Sequence, residues 1–222
     1  MNLYLVSIVL RLQIMETKKQ NRQRILEATQ ELFFRHGIKS ITMDDVAAHL
    51  GMSKKTIYTS FTDKNDLVTG LAEMELECQR TDIDAIHKGS DNAIDEILKI
   101  MNMISRSFAK MNPNLFYDLQ KFHPAAWKKF REFKEKKLRS FVEENLKAGM
   151  KQKLYRKDLN IKIMARLRLA EVEIAFDPVI FPPDQFNVRE VQIELIDHFL
   201  HGITTLKGHQ LINKYKHITE EE

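Results

Sequence analysis

Between Thr42 and Lys64 the chain sets hydroxyl and ammonium groups at close intervals: Thr42, Ser53, Lys54, Lys55, Thr56, Tyr58, Thr59 and Lys64. These groups supply hydrogen-bond donors and positive charge, and none stands as a nucleophile with a base beside it. The chemistry they suit is contact with a row of phosphates, which Lys, Ser, Thr, Tyr and helix N-termini commonly make. Lys54 and Lys55 fall in the first turn of a helix, where the macrodipole disfavours positive charge. A phosphate backbone against that end turns the small penalty into a gain. Taken singly, each residue favours the reading of an exposed helix with solvated side chains.

The elements that must position these groups lie between Gly37 and Leu67, which reads as two short helices, a tight turn and the entry to a third. Thr42 is placed to cap the first by accepting from the amide of Asp45, whose carboxylate lies near the positive helix end. Val46, Ala47 and Leu50 supply one apolar face, and Gly51 stops the helix where left-handed backbone is needed. Ser53 caps the next helix, expected over Ser53–Phe61, with Ile57 and Phe61 four apart and facing inward. Asp63 caps a further helix and puts Lys64 at its start. Helix, glycine turn, helix is the helix-turn-helix pattern.

At these residues the chain resembles the tetracycline-repressor (TetR) family of bacterial transcription regulators. The resemblance is carried by Ile25-Leu26-Ala28 and Leu32-Phe33 before Gly37, then Thr42-x-x-x-Val46-Ala47. It continues through Gly51-x-Ser53-x-x-Thr56-Ile57-Tyr58 and Tyr58-x-x-Phe61-x-x-Lys64-x-x-Leu67, and covers about residues 18–79. It implies an all-α fold with an N-terminal three-helix head and a larger C-terminal helical body. It also implies a homodimer, joined through the last two long helices, that binds double-stranded operator DNA. Each head would place the Ser53–Phe61 helix in a major groove, with Thr42 holding the backbone from the preceding helix. A small, largely apolar effector entering the body would shift the fourth helix and release a repressor from its operator. The implied division is an extension over 1–17, a DNA-binding head over 18–79 with its motif at 42–61, a ligand-binding and dimerisation domain over 80–213, and a polar tail over 214–222.

Composition sets bounds on this reading. With 222 residues the chain can bury a substantial core and suits one small and one larger domain. Only seven Gly and five Pro, with abundant Leu, Ile, Lys and Glu, point to helices throughout. Residues 16–70 hold nine Lys/Arg against seven Asp/Glu, so the case for DNA rests on where the charges sit and not on their sum. A single cysteine, Cys78, excludes an intrachain disulfide and a cysteine-rich zinc site, and fits a reducing cytoplasm. Its helical neighbours Leu71 and Met74 suggest a packed thiol.

The apolar run Leu3–Leu10 is too short to span a bilayer and lacks the basic start of a signal peptide. The expectation is that translation starts at Met15, the alternative being an ordered apolar arm. A first helix is expected over 18–36, where Lys18, Lys19, Arg22 and Arg24 can touch phosphate or simply meet solvent. A fourth helix is expected from about Lys64 to His87, joined without a Gly/Ser linker to the body. Further helices are expected from Ser90 or Asp91 up to Pro113, over Asn114–His123, from Pro124 to a break at Gly149, and over Leu159–Phe176. The last is expected from Asn187, with Glu190 completing a capping box and Gly202 inside the helix, where close helix approach would justify it.

No phosphate-binding glycine loop, Ser/His/Asp arrangement or metalloprotease motif appears, so no cofactor and no enzymatic activity is expected. His198, His201 and Asp197 share a helix region, and an ordinary histidine pair is the expectation there, not a metal site. Glu171 and Glu173 point to different faces and make no acid-base pair. The effector pocket implied by the resemblance is assigned to Met101, Phe108, Phe116, Trp127 and Met164, an adaptable apolar set. Arg166 and Arg168 could anchor an anionic effector, but exposed ion pairing is the expectation. The alternatives are a structural DNA-binding protein without an effector and, less well supported, a helical enzyme.

Overall fold

A computed structural model describes residues 3–216 except Lys110 and Pro113, with side chains from Glu16 onward except those of Thr17 and Lys18. The expected helix stop at Pro113, the phosphate role of Lys18 and the tail beyond Lys216 therefore lie outside the described residues. Among the described residues the chain forms α1 (Leu3–His36), α2 (Met43–Leu50), α3 (Lys54–Tyr58), α4 (Lys64–Lys88), α5 (Ala93–Phe108) and α6 (Leu115–Phe122). It continues with α7 (Pro124–Phe133), a π-helical turn (Lys134–Leu138), α8 (Arg139–Lys151), α9 (Ile161–Ile174), α10 (Val188–Ile203) and α11 (Leu206–Lys216). The fold is all-α, as the composition requires. No helix among the described residues is long and apolar enough to cross a membrane.

Two hydrophobic cores organise the helices. The head core gathers Ile25, Phe33, Val46, Ile57, Phe61 and Leu67 from α1–α4, and Leu115, Leu119 and Ala126 from α6 and α7 close it. The body core gathers Ile94, Ile97, Phe141, Leu146, Tyr155, Leu200 and Ile212. The long α4 serves both, since Met74 packs on the head core and Leu76 on the body core.

Several boundaries differ from the sequence expectation. The backbone of residues 3–17 continues α1 as one helix instead of standing apart from 18–36. Asn92 caps α5, its Oδ1 accepting from the amides of Ile94 and Asp95, in place of Ser90 or Asp91. The helix begun by Pro124 does not break at Gly149. It runs to Lys151 through the π turn, whose buried Lys134 pairs with Glu173 on α9 at 2.6 Å. Gly149 is needed for space, because a Cβ there would strike the Tyr155 ring. Asn187 caps α10 through the Arg189 amide without a box to Glu190. α10 then stops at Ile203, where Thr204 forms an isolated antiparallel bridge with Tyr155. Gly202 consequently lies in the last turn of α10, with nothing within 4 Å of its Cβ position in this chain.

Candidate nucleic-acid interface and internal cavity

The helix-turn-helix is built by local capping. Thr42 Oγ1 accepts from the Asp45 amide at 3.2 Å, and Asp45 Oδ2 accepts from the Thr42 amide at 2.7 Å. This reciprocal box fixes the start of α2 and holds the Asp45 carboxyl below its ordinary range, chiefly through the Thr42 amide. Gly51 takes φ +61, and nothing lies within 4 Å of its Cβ position, so backbone conformation alone demands glycine. Ser53 Oγ accepts from the Thr56 amide at 3.1 Å and starts α3. α3 is shorter than the sequence suggests. It ends at Tyr58, where Thr59 Oγ1 donates to the Thr56 carbonyl at 2.6 Å and the chain turns to bury Phe61. Asp63 caps α4 through the Asp66 amide at 2.8 Å.

The residues proposed for phosphate contact divide into free and committed groups. Lys55 and Thr59 are exposed, and Tyr58 is 43% exposed. Lys55 has no ion pair among the described residues. Lys54 lies 2.9 Å from Asp44, and that hydrogen bond raises its pKa above the ordinary lysine value. A phosphate reaching Lys54 must share it with Asp44. Thr42, Ser53 and Thr56 use their hydroxyls within the caps. Lys64 turns inward: its Nζ donates to the Ile38 carbonyl at 2.6 Å and lies 6.0 Å from the Phe33 ring. Burial lowers its pKa, opposed by Asp118 and Asp45. This corrects its expected place on the DNA-facing surface, since a cation bound to a backbone carbonyl joins α4 to the loop before α2.

Arg22 is committed in the same way. Its guanidinium lies 4.1 Å over the Phe61 ring and donates to the Ser60 carbonyl at 2.7 Å. It ties α1 to the end of the motif, whereas Lys19 and Arg24 remain exposed. The contact of α6 with the head was not visible in the sequence. Buried Asp118 accepts from the Lys39 amide at 2.9 Å, and the Asn112 amide donates to the Phe34 carbonyl at 2.7 Å. No local pattern pairs residues so far apart in the chain.

Behind the head lies a cavity of about 350 Å³, walled by helices from α1 to α10. Phe108, Phe116, Phe130 and Phe176 form its aromatic part, with Phe116 stacked on Phe176 at 3.8 Å and 5.6 Å from Phe108. Of the residues assigned to a pocket from sequence, Phe108 and Phe116 line this cavity. Met101 is instead buried in the body core, and Met164 packs against that core. Trp127 packs on the head core and stacks behind Phe130 at 5.0 Å. The sequence reading chose soft and aromatic residues at helical spacing, and that spacing does not distinguish a cavity wall from a filled core.

Polar groups also reach the cavity, Gln30, Glu75, Gln79, Asn145, Arg168 and Gln192 among them. Arg168 is buried rather than exposed, its Nη1 lying 3.1 Å from Glu171 Oε2. Arg166 is the exposed arginine of this helix. Glu171 is thereby a buried partner of Arg168, and Glu173 pairs with Lys134. Burial raises the Glu75 carboxyl, which accepts from the side-chain amide of Gln30 on α1. Cys78 is exposed rather than packed, and partial desolvation raises its thiol. At the end of α10, Asp197 pairs with Lys216, and the His201 ring lies 5.3 Å from that of His209. His198 faces solvent.

Comparison with known proteins agrees with this geometry. A family model described as "Bacterial regulatory proteins, tetR family" matches residues 25–71. The chain is 27% identical over 183 residues to YvaF of Bacillus subtilis, an uncharacterised HTH-type transcriptional regulator, covering 82% of this chain and 95% of that one. Its fold matches that of a TetR-family transcriptional regulator from Agrobacterium tumefaciens with a TM-score of 0.67 at 16% identity, covering 85% of this chain and all of the other. A transcriptional regulator from Cytophaga hutchinsonii matches with a TM-score of 0.67 at 22% identity, over 82% and 98% of the two chains.

Proposed function

We propose that the chain, whose residues 25–71 match the model of the tetR family of bacterial regulatory proteins, is a homodimeric transcriptional repressor with a DNA-binding helix-turn-helix, released from its operator by a small molecule, and not an enzyme. Residues 18–79 serve as the head, and 80–213 serve for effector binding and dimerisation. The single observation that carries the reading is the junction of two features. A surface with unpaired Lys55 and exposed Tyr58 sits on a head whose core residues Phe33 and Ile38 also wall the cavity. A molecule in that cavity touches the element that presents α3. A structural DNA-binding protein has no use for such a void, since empty apolar volume costs stability.

The dimer is supported by α9. Ile163 is 62% exposed and Leu167 46%, and with Ala170 and Ile174 they form an apolar stripe facing away from this chain's core. The open space at Gly202 on α10 gives a second helix room to approach. Two heads reading half-sites about one DNA turn or more apart follow from such a pairing. Release then requires that effector bind the low-affinity state better than the DNA-bound state.

The test is binding of the purified chain to its own upstream DNA across a salt series, with light scattering to give its mass. Sequence-selective binding with a steep salt slope is expected. A Lys55→Ala/Tyr58→Ala variant should lose about 1–3 kcal/mol of affinity and reduce the slope by about one. Equal binding to scrambled DNA, or the mass of a single chain, would contradict the reading.

A further inference from the structure

Resting on the reading of the cavity as an effector site, we propose that its ligand is an organic cation with a hydrocarbon body, whose charge is taken by the Glu75 carboxylate. The charge balance of the walls leads there. Arg168 is the cavity's only cationic side chain among the described residues, and Glu171 already neutralises it at 3.1 Å. Glu75 has no ion pair among the described residues; its polar partner is the neutral amide of Gln30. Asp82, itself exposed at the rim, adds a second carboxylate, likewise without an ion pair among the described residues. The cavity thus carries negative charge without a counter-ion.

Desolvation makes that charge unfavourable, and burial correspondingly raises the Glu75 carboxyl. A cation beside it restores the charged form and gains a charge-assisted contact. An anion meets the opposite situation. It is repelled by Glu75 and can recruit Arg168 only by leaving Glu171 buried alone, which is strongly unfavourable. Phenylalanine rings line the remainder, favouring hydrocarbon and offering π faces to positive charge.

The same contact supplies regulation. Gln30 lies on α1 and Glu75 on α4, so a cation that takes the carboxylate competes with a bond joining these helices. Because α1 carries the head core, losing that bond loosens the seat of the helix-turn-helix. Ligand binding and the α1–α4 contact are then coupled in one carboxylate.

The experiment compares decyltrimethylammonium with decanol and decanoate on the full-length protein. Binding is followed by Trp127, the single tryptophan, which stacks on the cavity residue Phe130, and DNA release by anisotropy. The cation should bind about tenfold or more tighter than decanol, and decanoate more weakly than either. Glu75→Gln should remove the advantage of the cation and leave decanol unchanged. Gln30→Met, which frees Glu75 without deleting it, should tighten the cation and serves should the first variant fold poorly. Equal affinity for the three, no cation binding at millimolar concentration, or an unaltered cation affinity in Glu75→Gln overturns the inference. DNA release by decanol or decanoate alone would sink the cation and keep the effector reading. Cation binding dependent on Glu75 without DNA release would do the reverse.

Discussion

In the head, the groups free to meet DNA stand apart from those that hold the fold. Lys55 and Tyr58 face solvent, while Ile57, Phe61, Arg22 and Lys64 secure the helices beneath them. In the body the two duties fall on the same side chains. Phe116 stacks on Phe176, packs against the head core and lines the cavity, and Asn145 lines it while bonding the Ala93 carbonyl and Tyr155. A surface site can be altered without disturbing its scaffold, because solvent fills the gap left by a deleted side chain. An internal site cannot, because every wall residue also contributes packing.

The largest effect that would sharpen this contrast belongs to Phe116→Ala. Losing a ring that meets Phe108, Phe130 and Phe176 should cost about 2–4 kcal/mol and weaken ligand response together. Chemical denaturation beside ligand titration checks it, and a stable variant with altered ligand binding would break the comparison. Next is Lys64→Met, which separates the two kinds of head lysine. It should lower stability by about 1 kcal/mol, because the Ile38 carbonyl loses its donor, and leave the salt slope of DNA binding unchanged. A reduced slope would return Lys64 to the contact surface.

The smallest effect concerns His123, which joins α6 to α4 by a 2.7 Å contact from Nδ1 to Asn65 Oδ1. Burial, then the nearby Lys64 charge, lowers its pKa below the ordinary 6.5. The unfolded chain therefore takes up a proton first as pH falls. The contribution of His123 is intact above pH 6.5 and is lost as pH drops from there through the lower folded value. Melting temperatures between pH 7.5 and 5.5 should fall less in His123→Gln than in the parent chain, and identical falls would remove His123 from the account.

The sequence was most informative where interactions are short. The Thr42 cap on the Asp45 amide, the left-handed Gly51 and the Ser53 cap were all legible, since each acts within a few residues. Lys64 was misread because its partner, Ile38, lies 26 positions away. Arg168 was misread for a different reason. Its partner is three residues on, but whether that pair is exposed or buried depends on which face of α9 the body covers. The apolar stripe of Ile163, Leu167, Ala170 and Ile174 shows the same ambiguity, for its spacing was plain and its exposure was not.

Taken alone, the sequence determined an all-helical chain with a helix-turn-helix that resembles that of the TetR family, because caps, glycine turns and apolar spacing act locally and need no partner. Only the tertiary structure decided which lysines remain free, which rings wall a cavity instead of filling a core, and which carboxylate is left without a cation. Those outcomes depend on solvent exposure and on contacts such as Gln30 with Glu75, 45 residues apart, which exist only once the helices have packed.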